Sequence, residues 1–72
     1  MERHEKSLAL ARRLFAEQEA RVRQQEELIL SLRAKGQPTD VAEERLTSMN
    51  RTLLIILGEI ARLGRMGPDY IN

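Results

Sequence analysis

Apolar residues in this chain recur every seven positions, in two sets of rows separated by a single break, and that spacing constrains the fold more than any other feature. In the first segment Leu8, Phe15, Val22 and Ile29 form one row. Ala11, Gln18, Gln25 and Leu32 form a second row, displaced from the first by three. In the second segment the rows are Leu46, Leu53, Ile60 and Ala42, Met49, Ile56, Leu63. Paired rows with this offset are the seam positions of helices lying side by side with nearly aligned axes. The residues between the rows are mostly Arg, Glu, Gln, Ala and Leu, which favour helix.

The break reads "AKGQPTD". Lys35 places a cation at the carbonyl end of the first helix dipole. Gly36 suits the left-handed residue that follows a helix end. Pro38 cannot continue the first helix, and Thr39 or Asp40 then serves as the N-cap of the next. Asp40 with Glu43 reads as a capping box, and Glu43 and Glu44 put negative charge in the first turn. The expected organisation is one domain over 1–72: a helix over about 3–34, a turn at 35–39, a helix over about 40–64 and a short tail at 65–72. The first helix would be about 48 Å long. So short a connection makes the helices antiparallel neighbours, and the expected fold class is all-α, an antiparallel helical hairpin.

A chain of 72 residues buries a small fraction of its surface and needs a staple. It has no Cys, which removes disulfides and thiolate metal sites. Its one His, His4, falls on a seam row near the helix start and reads as solvated or capping. No metal and no cofactor are expected. Self-association or docking onto a partner remains. The 12 basic and 11 acidic residues nearly cancel, so no strong field steers the chain to nucleic acid or an anionic membrane. The only aromatics, Phe15 and Tyr70, are too few for a base-stacking platform. No export signal and no membrane-length apolar run are visible, so a bacterial-type cytoplasm is the expected setting.

More apolar surface is present than a hairpin seam uses. The stretch "RTLLIILGEIARL" holds five consecutive large aliphatics, 53–57. Leu53 and Ile56 belong to the seam. Leu57, Ala61 and Leu54 widen the apolar arc of the second helix to about 180°. Ile55 falls among Ser48, Arg51, Glu59 and Arg62 and is the candidate exposed partner anchor. Leu10, Leu14 and Leu28 form an extra row on the first helix, interrupted by Arg21. The expectation is a hairpin core built on Phe15, Val22, Leu53, Ile56 and Ile60. Leu10, Leu14, Leu28, Leu54, Leu57 and Ala61 form an association face that pairs two hairpins into a four-helix bundle. A two-fold homodimer is the commonest such assembly. Gly58, inside the second helix, costs about 1 kcal/mol relative to Ala unless a close helix approach offsets it.

The polar residues offer specificity more than chemistry. Gln18 and Gln25 occupy seam positions and are candidates to set register or oligomer state through amide hydrogen bonds. Arg12, Arg13, Arg21, Arg23 and Arg33 are the candidate nucleic-acid contacts, but Glu17, Glu19, Glu26 and Glu27 interleave with them. Glu17–Arg21 and Glu19–Arg23 have the favourable order for ion pairs one turn apart. Glu43, Glu44 and Glu59 lack a nucleophile, a matched second acid or a phosphate loop, so no enzyme is expected.

Gln25, Ile29, Leu32, Gly36, Thr39 and Ala42 follow a pattern, Gln-x-x-x-Ile-x-x-Leu then Gly-x-x-Thr-x-x-Ala. In this it resembles short helical-hairpin proteins, mostly alphaproteobacterial, of unassigned activity. The resemblance covers about a third of the chain and implies a fold rather than a function. The architecture is also similar to that of Rop-like RNA-binding hairpin dimers, a likeness of architecture alone. The function these features favour is a small protein–protein interaction module, an adaptor or regulator acting as a homodimeric helical bundle. An RNA- or DNA-binding hairpin dimer is the alternative.

Overall fold

The computed structural model describes the backbone of residues 2–65 and the side chains of residues 6–64. It is an all-helical antiparallel hairpin. Helix α1 spans Glu2–Ala34 and helix α2 spans Asp40–Arg65. The hairpin measures 58 × 14 × 13 Å, the length of one long helix and the width of two. Neither helix is long and apolar enough to cross a membrane. The side chain of His4, and the tail with Tyr70 and Ile71, lie outside the described residues.

The turn forms because each orphan backbone group finds a partner. At the end of α1 the Gln37 amide donates to the Leu32 carbonyl (2.9 Å) and the Gly36 amide to that of Arg33 (3.0 Å). Gly36 has φ +71°, the left-handed conformation this double bond requires and a Cβ would disfavour. Thr39 is the N-cap of α2, since its carbonyl accepts the first helical bond, from the Glu43 amide at 2.8 Å. The expected Asp40–Glu43 capping box is replaced by a different arrangement. The Thr39 hydroxyl donates to the Glu43 carboxylate at 3.0 Å, and Arg33 donates to the same oxygen at 2.7 Å. Glu43 therefore joins the end of α1 to the start of α2 instead of folding back on Asp40.

The seam is filled by the heptad rows. Ala11, Val22 and Ile29 are buried on α1, with Leu8, Phe15 and Leu32 half-buried. On α2 the half-buried apolar residues are Ala42, Leu46, Met49, Leu53, Ile56, Ile60 and Leu63, which are the two expected rows. Gln18 and Gln25 are buried as well. The Gln18 amide donates to the Met49 carbonyl (3.1 Å) and the Gln25 amide to the Ala42 carbonyl (2.9 Å). Donors and acceptors are each seven residues apart, so both bonds report one antiparallel register. The burial cost of a primary amide is thus met inside the hairpin.

Candidate interaction surface

Every large apolar residue left outside the seam among the described residues lies on a flank of the hairpin, and the two flanks differ. One open groove is lined by Glu26, Leu30 and Arg33 of α1 with Glu43 and Thr47 of α2. A second is lined by Arg21 of α1 with Arg45, Ser48 and Thr52 of α2. On an α-helix, Glu26 and Arg21 project from opposite sides of a seam made by Val22, Gln25 and Ile29, as Glu43 and Arg45 do about Ala42 and Leu46. The grooves therefore mark opposite faces, called here the acidic face and the basic face.

Heptad spacing extends both assignments. Leu14 and Leu28 stand seven residues either side of Arg21 and share the basic face with it, and Leu10 lies one turn before Leu14. Ile55 is seven residues beyond Ser48 and leans to this side of α2. Leu54 and Ala61 repeat at seven and fourteen residues beyond Thr47, and Leu57 at fourteen beyond Glu43, so all three belong to the acidic face. The six residues expected to make one association face are not brought together. Leu10, Leu14 and Leu28 lie on one side of the hairpin and Leu54, Leu57 and Ala61 on the other. Counting apolar arcs helix by helix cannot show this, because an antiparallel partner reverses which flank of α2 meets which flank of α1.

All six are exposed, with Leu54 at 68% of full accessibility. Ile55, at 67%, is as open as the isolated anchor reading requires, but it shares its face with Leu10 and Leu14. Two exposed aliphatics escaped the row count, Leu30 on the acidic face and Val41 at the start of α2. Leu30 follows Ala9, Ala16 and Arg23 at heptad spacing, so a single large residue in that line gave no visible row. Gly58 has nothing within 4 Å of where a Cβ would stand, so no close approach inside the hairpin accounts for it.

Among the described residues the ion pairs are Arg33–Glu43 and Arg62–Glu59, both exposed. The Arg33 guanidinium, then the Thr39 hydroxyl, hold the Glu43 carboxyl below the ordinary glutamate range. Arg62 lowers Glu59 in the same way and is itself raised. The five candidate nucleic-acid arginines do not share a surface. Arg33 is engaged by Glu43, Arg12 and Arg23 lean to the acidic side, Arg13 points away from the seam, and Arg21 is on the basic face. Among the described residues no three His, Asp or Glu side chains cluster as metal ligands would. No family model, curated protein or solved structure matches the chain.

Proposed function

We propose that this chain is a small protein–protein interaction module that works through its helix faces, first by pairing with a second copy of itself into a four-helix bundle. One observation carries this reading. Leu10, Leu14, Leu54, Ile55 and Leu57 stay exposed on a hairpin whose seam is already filled. Large aliphatics clustered at one end of a thin hairpin leave apolar surface in water that a second hairpin would cover. The charged residues between them would form the rim such interfaces carry. A bacterial cytoplasm, and kinship with the short hairpin proteins that share the Gln25-to-Ala42 pattern, belong to the same proposal. The seam amides of Gln18 and Gln25 fit a register-setting role within it.

Sedimentation or light scattering across a concentration series tests the reading. Wild-type protein should exceed the 8.3 kDa of one chain as concentration rises. Leu54→Glu combined with Leu57→Glu should return the mass to one chain with the helical signal kept. A wild-type mass of one chain at every concentration would remove the proposal.

A further inference from the structure

We infer that copies of this chain meet face to back: the basic face of one hairpin docks on the acidic face of the next. The inference rests on the self-association proposed above and adds which surfaces meet. The hairpin's own register supplies the basis. Residue 18 is level with 49 and residue 25 with 42, so Arg45 stands level with residue 22, beside Arg21. Both guanidiniums line one groove, at mid-length of the hairpin. Neither is in an ion pair among the described residues, and the acids nearest them in sequence, Glu17 on α1 and Glu44 on α2, lie towards the outer edges of that face. On the opposite face Glu19 and Glu26 stand a heptad apart, and they bracket the level of the two arginines. At 1.5 Å per residue the offsets are about 3 to 8 Å, within reach of an Arg side chain. Of the arginines on the acidic side, Arg33 is neutralised by Glu43, and Arg12 lies about 10 Å nearer the open end. Arg23 stands at the outer edge between Glu19 and Glu26, so two carboxylates face the groove against one guanidinium at that level.

The apolar patches match along the same axis. Towards the open end the basic face has Leu10, Leu14 and Ile55, and the acidic face has Leu54, Leu57 and Ala61. Towards the turn each face has one more aliphatic on α1, Leu28 on the basic side and Leu30 on the acidic side. Opposed face to back at the same level, α1 lies over α1 and α2 over α2. Leu28 then meets Leu30 towards the turn, Ile55 meets Leu54 and Leu57 towards the open end, and Arg21 meets Glu19 and Glu26 between them. A two-fold pairing of basic face with basic face would instead put four guanidiniums at one level, and juxtaposed like charges oppose association. A contact between two different surfaces is heterologous, so each added copy leaves one face of each kind free. Assembly then continues beyond two copies unless rotation closes a ring.

Two exposed positions separate the possibilities, Leu14 on the basic face and Leu57 on the acidic face. Leu14→Glu and Leu57→Glu should each be a single chain by sedimentation at concentrations where wild type associates, with unchanged helical circular dichroism. Mixed one to one, they should form a dimer and stop, because each supplies the face the other lacks. Charge reversal gives an independent reading. Arg21→Glu with Arg45→Glu, and Glu19→Arg with Glu26→Arg, should each associate at least tenfold more weakly alone and recover when mixed. If either Leu variant stays associated alone, or their mixture remains single chains, the face-to-back contact is wrong while self-association stands. A wild type that never associates overturns both.

Discussion

The two ends of the hairpin solve the same packing problem in different ways. At the turn end, polar groups complete the structure. Gln25 caps its amide on α2, Gly36 and Gln37 close the α1 carbonyls, and Thr39 and Arg33 converge on Glu43. Ile29 is buried there at 5% accessibility. At the open end Ala11 is buried and Leu8, Ile56 and Ile60 are half-buried, as Leu32, Ala42 and Leu46 are at the turn end. The difference lies on the flanks, where Leu10, Leu14, Leu54, Ile55 and Leu57 stand exposed against Leu28, Leu30 and Val41 near the turn. Two helices enclose little volume wherever nothing folds over them, so the open end has apolar surface that a single chain cannot cover. The turn end behaves as a small domain, and the open end behaves as an interface.

The largest expected effect tests that contrast directly. Ile29→Ala removes a buried side chain and should lower stability by about 2 to 3 kcal/mol. Leu57, at 48% accessibility, is similar in size. Measured by urea unfolding at concentrations where the chain is single, Leu57→Ala should cost no more than about 0.5 kcal/mol. At high concentration the gap should narrow, because Leu57 is then covered. Equal losses in dilute solution would break the distinction between the two ends.

The glycines provide a second contrast of opposite sign. Gly36 is left-handed, so Gly36→Ala should destabilise the turn by about 1 kcal/mol although nothing stands within 4 Å of the new methyl. Gly58 is helical and equally unobstructed, so Gly58→Ala should stabilise α2 by about 1 kcal/mol. Gly58 points away from the seam and from both flanks, so the mass at high concentration should not change. A loss of association in Gly58→Ala would place a partner against the outer side of α2.

Much of this fold was readable in the residues, and the reasons it was readable are local. Gly36, Pro38 and Thr39 act through their own backbone conformations, so the turn follows from chemistry within a few positions. The heptad rows act through helical geometry, and every seam residue with a described side chain is buried or half-buried. What could not be read needs two helices at once. Neither helix alone shows that Leu14 and Leu57 face opposite ways, or that Arg45 joins Arg21. The acceptors of Gln18 and Gln25 are backbone carbonyls, which no side-chain pattern announces. The Asp40–Glu43 box failed for a related reason: Arg33, on the other helix, draws the Glu43 carboxylate towards Thr39.

The amides separate packing from specificity. The Met49 and Ala42 carbonyls belong to α2's own helical ladder, so Gln18→Leu with Gln25→Leu strands no backbone acceptor. The net stability change should stay within about 1 kcal/mol, since the hydrogen bonds lost are offset by apolar burial. An uninterrupted apolar seam would, however, permit other registers and partners. Native mass spectrometry should show a broader set of oligomers than wild type. An unchanged distribution would show that the turn alone sets the register and that the amides are only tolerated.

The smallest expected effect is electrostatic and confined to the turn end. Arg33 and Thr39 favour the charged form of Glu43, so its folded-state pKa lies below its unfolded value. A carboxyl lowered in this way contributes stability that is present above the ordinary glutamate value and is lost as pH falls through the lowered one. The pair is exposed to solvent, so the contribution is small and weakens with added salt. Carboxyl-detected NMR should give a Glu43 midpoint below the ordinary glutamate value. Arg33→Gln should move it upward, since the Arg33 hydrogen bond is the largest cause of the lowering, and Thr39→Ala should move it less. The same titration should loosen the turn before the seam, because acid removes the Glu43 contacts while Val22 and Ile29 carry no charge to lose. A Glu43 midpoint at the ordinary value would mean that Arg33 does not hold the carboxylate in solution. The turn end would then rest on Gly36, Gln37 and the Gln25 amide alone, and its advantage over the open end would shrink accordingly.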